Sequence, residues 1–241
     1  MTATTDRSKQ VRDVLAWLER HGTKANKDGL LRYGIVAPKA FGVSMSTMQQ
    51  LAKQLGQDHA LAAALWDTGW YEARTVTALI GDPTRLTAAQ MDRWMRGFDN
   101  WAICDTLCFK LFDKSPHAWT KVKQWSGRKN EFEKRAAFAL LASLALHDKK
   151  SPDAPFLASL PLIERAAADE RNFVKKGVNW ALRAVGERSV ALNAASIELA
   201  RRLAESSDAA PRWVGKDALR ALTGPAAKKR LAMRAKTRGK A

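Results

Sequence analysis

Phe132-Glu133-Lys134-Arg135-Ala136-Ala137-Phe138-Ala139-Leu140-Leu141-Ala142-Ser143-Leu144-Ala145-Leu146 is the stretch that decides the fold. An aromatic residue with a cation three positions on opens it. The following turns are Ala and Leu without Gly or Pro, a composition that favours helix over strand. The apolar run from Ala136 to Leu146 falls well short of a membrane span, so it reads as a helix of a soluble protein. The same opening recurs at Tyr71-x-x-Arg74 and Phe173-x-x-Lys176, each again followed by Ala- and Val-rich turns.

These three openings are 61 and 41 residues apart. A spacing near 41 fits the helix-pair period of HEAT and armadillo repeats, and the longer gap fits an inserted helix around Phe98 to Phe112. Elsewhere apolar residues keep helical spacing, as at Val11, Val14, Leu15 and Leu18 or Leu157, Leu160 and Ile163, and strand alternation persists nowhere. The breaks are short, among them His21 to Gly29, Gly81 to Thr84, Gly127 to Asn130 and Asp148 to Pro155, and Thr87 with Gln90 makes a capping box. The expected fold is all-α, a HEAT-like helical-repeat solenoid with a concave, basic face, occupying residues 1–224 as one domain and followed by a basic tail at 225–241. Arg74, Arg135 and Lys176 hold equivalent places in their repeats, where they would line a concavity along a duplex backbone. The alternative is pairing with carboxylates such as Glu72 or Glu133, preferred for Arg74.

Charge narrows the partner. The formal net charge is +17, and the basic excess grows along the chain: residues 201–241 hold 12 basic and 3 acidic side chains. Neutralising phosphates with Lys and Arg releases condensed counterions, so nucleic acid is the leading partner. From Arg212 onward Asp217 is the one acid, and the chain closes on Lys228-Lys229-Arg230, Arg234, Lys236, Arg238 and Lys240. Such a tail would be solvated and frayed in isolation and would add salt-sensitive affinity on DNA. The opening MTATTDRSKQ has no apolar stretch that could serve as a signal peptide, which places the protein inside the cell, at the nucleoid through DNA binding.

The segment Phe98-Asp99-Asn100-Trp101-Ala102-Ile103-Cys104-Asp105-Thr106-Leu107-Cys108 is the most unusual in the chain. Trp101 and Asp105 are four apart, so on a helix they share a face, while Leu107 and Leu111 serve the packing side. A second tryptophan, Trp180, stands among cations in Phe173-Val174-Lys175-Lys176-Gly177-Val178-Asn179-Trp180-Ala181-Leu182-Arg183. Two aromatics, an acid and several cations are the makings of a nucleotide pocket. Cys104 and Cys108 have no histidine nearby and no four-ligand set, so they are expected to be small core residues and no metal is expected. Trp17, Trp66 and Trp94 are expected in the core, and His21, His59, His117 and His147 at the surface.

With these residues in place, the chain resembles the DNA alkylation repair glycosylases with HEAT-like repeats. The resemblance runs from about Tyr33 to Leu222. It rests on Asn100-Trp101-x-x-x-Asp105, on Lys134-Arg135-Ala136-Ala137, on Lys176-x-x-x-Trp180-x-Leu182-Arg183, and on Tyr33 followed by Gly42-Val43. It departs at Ala102, where some members carry a second acid. The resemblance implies a monofunctional glycosylase that releases N3- and N7-alkylated purines from duplex DNA in base excision repair, with no metal or organic cofactor and no obligate protein partner. It implies Asp105 as the catalytic carboxylate, Trp101 and Trp180 as aromatic walls, Arg135 and Arg183 as phosphate contacts, and Tyr33 as a cleft residue. Lys176, Arg212 and Lys216 complete the expected DNA contacts.

Overall fold

Seven helices of this protein begin at a short polar side chain that accepts one of the backbone N–H groups a helix start leaves unpaired. Thr23, Ser44, Asp58, Thr87, Asn100, Asn130 and Ser189 all serve this way. The computed structural model describes residues 2–238, whose regular elements are all helices with no strand among them, and the chain falls into two compact units divided after His117. No helix among the described residues is long and apolar enough to cross a membrane.

The first unit holds α1 (Thr2–His21), α2 (Lys24–Arg32), α3 (Met45–Leu55), α4 (His59–Asp67), α5 (Tyr71–Ile80), α6 (Ala88–Arg96) and α7 (Trp101–Lys110), then a 3-10 turn at Phe112–Lys114. Helix α5 is its centre and packs on α3, α4 and α7. Val14, Leu18, Met48, Leu51, Leu65, Val76 and Ile80 fill one end of this core. Trp66, Trp94, Phe98 and Phe112 stack through the other, with Trp66 and Trp94 5.4 Å apart. Such aromatic pairs add about 0.5–1.5 kcal/mol beyond the area they bury.

The second unit holds α8 (Ala118–Trp125), α9 (Glu131–His147), α10 (Ala154–Leu157), α11 (Leu160–Ala166), α12 (Asn172–Gly186), α13 (Val190–Ala204), α14 (Ala209–Thr223) and α15 (Pro225–Arg238). Helix α12 lies between α9 and α14, while α13 packs on both α12 and α14. The run from Ala136 to Ala145 is wholly buried, which is why α9 reads as apolar all round. Gly177 lets α9 and α12 approach closely: a Cβ there would lie 3.3 Å from Cγ of Arg135.

Several expectations change in detail. The inserted helix expected around Phe98 to Phe112 is α7, and the gap of 61 residues holds α6 and α8 besides. Helices α5, α7, α9, α12 and α14 begin at 71, 101, 131, 172 and 209, and α7 packs directly on α5. Helix α7 lacks the aromatic-and-cation opening of α5, α9 and α12 because Trp101 is followed three positions on by Cys104. Helix α2 forms inside the segment read as a break. It has no buried residue and therefore no apolar stripe to announce it. The capping box closes on one side only: the Gln90 N–H donates to Thr87 at 3.1 Å, but the Gln90 side chain turns to His59, 3.0 Å away. His59 is accordingly buried against Trp94 and is not a surface residue. The segment after Gly224 is helical, with Ala227 fully buried and Arg230 paired with Glu187 at 2.8 Å. Lys240 of the basic tail lies outside the described residues.

Candidate nucleic-acid interface

In the first unit the candidate interface is built on a buried acid. Glu72, fully buried on α5, accepts the backbone N–H groups of Phe41, Gly42 and Val43, with Gly42 at 2.7 Å from Oε1. Gly42 has φ +86°, and a Cβ there would sit 2.2 Å from the carbonyl oxygen of Thr23, so only glycine fits. The loop that carries Tyr33 is thereby anchored at its far end. Tyr33 caps α2, is 71% exposed, and offers its carbonyl to the indole N–H of Trp101 at 2.9 Å.

Trp101 begins α7, whose start is fixed by Asn100 accepting the Ile103 N–H at 3.0 Å. Ile103, Cys104, Leu107 and Cys108 form the buried side of α7, leaving Trp101, Ala102, Asp105, Thr106 and Phe109 half-buried on the other. Trp101 and Asp105 therefore share one stripe, as their spacing requires, and Leu107 and Leu111 are buried as expected. Cys104 and Cys108 are core thiols. Burial above all pushes the Cys108 thiol well above its usual range, helped by its hydrogen bond with Cys104 and by the charges of Asp105 and Asp113. Among the described residues no group of three or more His, Cys, Asp or Glu could hold a metal ion.

Beside this stripe, a recess of about 280 Å³ opens between residues 37–39, the start of α5 and residues 99–103, with Lys39, Tyr71, Arg74, Asp99 and Asn100 in its lining. Burial first, and the Glu72 charge second, push the Tyr71 phenol up to about 12, so it stays a neutral donor. Arg74 lies over Trp66, 4.7 Å from the ring centroid, and reaches the Gly97 carbonyl at 3.1 Å and Asp99 at 3.3 Å. It is ion-paired, as preferred from sequence, but with Asp99 and not with Glu72. Neither Trp101 nor Asp105 belongs to the lining of this recess.

In the second unit the predicted residues separate into two groups. Arg135 is 6% exposed and donates to the Phe173 carbonyl at 2.6 Å, which fastens α9 to α12. Arg212 donates to the carbonyls of Ser206 and Ser207 at 2.9 and 2.6 Å, holding the turn before α14. Lys176 and Lys216 are exposed, and Trp180 is half-buried on the same outward side of α12 as Lys176 and Arg183. Arg183 stays largely open while facing Asp217 at 3.7 Å. Sequence reasoning passed over Trp213, which is exposed and has the Lys175 ammonium 5.1 Å from its ring centroid. It also passed over Glu72 as the anchor of the Tyr33 loop; the glycine at position 42 was the available signal.

Helix pairs in series, each turning one polar edge outward, define a helical-repeat protein of HEAT-like fold. The chain belongs to the DNA alkylation repair enzyme family, whose model matches residues 14–222. In structure it is similar to a member of a new family of proteins related to the HEAT-like repeat DNA glycosylases with affinity for branched DNA structures. The two are 21% identical with a TM-score of 0.73, over 91% of this chain and 95% of that one. No curated protein matches it in sequence.

Proposed function

We propose that this chain is a DNA glycosylase that releases cationic N3- and N7-alkylated purines from duplex DNA. The observation that carries the reading is the α7 stripe. An indole tethered through its N–H to the Tyr33 carbonyl stands one helical turn from the Asp105 carboxylate, in a chain of the DNA alkylation repair enzyme family. An alkylated purine already bears a positive charge and leaves without being protonated. The C1′–N bond breaks with its electron pair going to the base, which becomes neutral, and the sugar passes through an oxocarbenium-like state. A fixed carboxylate at C1′ stabilises that cation and orients the water whose oxygen replaces the base, as in glycoside hydrolysis generally. The products are the free base and an abasic site.

The Trp101 indole contributes through its face, since aromatic rings attract cations by about 0.5–2 kcal/mol depending on desolvation. Charge therefore supplies selectivity for alkylated over neutral purines. Trp180 is assigned the part of a second aromatic wall, and Tyr33 that of a contact beside Trp101. Lys176, Arg183 and Lys216 are assigned to DNA phosphates because they are open to solvent. Arg135 and Arg212 act through the helices they fasten.

A second reading, a non-catalytic binder of DNA structure, draws on the affinity for branched DNA structures of the family to which the structural neighbour belongs. Mass spectrometry of the bases freed from methylated duplex DNA separates the two. Release of 3-methyladenine and 7-methylguanine by the wild type and its loss in an equally helical Asp105→Asn variant is the expected result. A wild type that binds the DNA and frees no base establishes the second reading.

A further inference from the structure

Of the nine tryptophans, all among the described residues, Trp213 alone is exposed, at 40%. The buried side of α14 is made by Ala210, Pro211, Val214, Ala218 and Leu222, so the indole is not needed to fill the core. Its surroundings are cationic. Lys175 sits over the ring, and Asn179 donates to the Val214 carbonyl at 3.4 Å while Arg183 faces Asp217 at 3.7 Å. These three ties set α12 and α14 in register, so that the outward edge of α12, with Lys176, Trp180 and Arg183, runs beside that of α14, with Trp213, Lys216 and Arg220. Asp217 is the acid between them, and both Arg183 and Arg220 pair with it.

We propose that Trp213 is a stacking platform for unpaired nucleotides, with Lys175, Lys176 and Lys216 holding the phosphates on either side. The inference rests on the DNA reading above and adds a substrate class to it. Intact duplex keeps its base faces stacked, so cations alone serve it and an exposed indole has nothing to gain. An unpaired base offers a bare π-face, and stacking it on an aromatic side chain changes affinity about fivefold to 150-fold per base. A protein partner would instead call for an apolar patch core depleted of lysine, and here the indole is flanked by lysine and arginine. Lys175 holds its ammonium over the ring in the free protein. On binding, the flexible lysine gives up the ring to the base and moves to the adjoining phosphate.

The test is fluorescence anisotropy with the full chain on two labelled DNAs, a blunt duplex and the same duplex carrying a single-stranded flap. The wild type is expected to bind the flapped DNA more tightly. Trp213→Ala should lose about tenfold on the flap and less than about threefold on the blunt duplex, with Trp213→Phe restoring most of the difference. Equal wild-type affinity for the two DNAs, or an equal loss on both in Trp213→Ala, overturns the platform and leaves the glycosylase reading standing. A wild type that binds neither DNA overturns the DNA reading itself and this inference with it. Sedimentation with phosphatidylserine vesicles that depends on Trp213, without any preference for the flap, would assign the patch to a lipid surface and also overturn it.

Discussion

The two compact units carry the same number of acids, 12 each, but the first has 15 lysines and arginines and the second 26. Both units pair cations with carboxylates, as Arg7 with Asp58, Arg74 with Asp99 and Arg93 with Asp67 in the first and Arg171 with Asp169, Arg202 with Glu164 and Arg230 with Glu187 in the second, so the difference lies in the surplus and not in the pairing. In the second unit, Lys175, Lys176 and Lys216 belong to an outward edge with little acid to neutralise it. The candidate catalytic acid thus lies in the near-neutral unit and the surplus charge in the other. A carboxylate that must stabilise a sugar cation keeps its full effect where few cations compete for it, whereas affinity for a polyanion grows with each cation left open. Chemistry and affinity are accordingly expected to answer to different substitutions.

The largest expected effect tests the first half of that comparison. Asp105→Asn should lower base release about 10²–10³-fold, the usual loss for one transition-state electrostatic group, and change duplex affinity far less. Equal losses in both would mean that Asp105 acts through binding. Next, Lys175→Gln, Lys176→Gln and Lys216→Gln combined should flatten the salt dependence of duplex binding by about 2–3 units of log–log slope. The same number of changes in the first unit, at Lys9, Lys27 and Lys53, should flatten it less. Equal slopes for the two triple variants would erase the division between the units.

Smaller effects probe the scaffold on each side. Glu72→Gln leaves one oxygen for N–H groups that now share a buried carboxylate, and should cost about 1–3 kcal/mol, read as a lower melting temperature. Faster amide exchange at Gly42 and Val43 should accompany it. Unchanged exchange there would show that something other than Glu72 holds the loop. In the second unit, Arg171 first and then Lys134, 2.8 Å away, hold the Asp169 carboxyl well below the usual carboxylate range. A depressed folded-state value means that its stabilisation is complete above the unfolded carboxyl value near ~4 and is lost as the pH falls below it. Asp169→Asn should therefore cost about 1–2 kcal/mol at neutral pH, and the difference from wild type should shrink in acid. A difference in denaturation midpoint that stayed constant with pH would remove Asp169 from the linkage.

What was legible beforehand followed from spacing. Trp101 and Asp105 share a stripe because four residues are about one helical turn, and α5, α9 and α12 open at or beside the aromatic residues that marked them. Arg135 shows where spacing stops. It holds the place in its repeat that Lys176 holds in the next, but α12 comes so close at Gly177 that the Arg135 guanidinium meets the Phe173 carbonyl and is buried, while Lys176 remains open. Nothing local distinguishes the two. The same holds for His59, drawn into the core by Gln90 from a later helix.

The sequence by itself determined that the chain is helical, that its helices pair in repeats, that its charge suits a polyanion, and that an indole and a carboxylate lie on one helix edge. All of these depend on composition or on separations within about one turn or one repeat. Only the tertiary structure decided which cations remain open, that the Tyr33 carbonyl fixes the Trp101 ring, that a buried Glu72 anchors the loop leading from Tyr33, and that Trp213 faces solvent beside Lys175. Those depend on which backbone groups and side chains of other helices come within hydrogen-bonding or van der Waals reach, a matter of packing that no single segment contains.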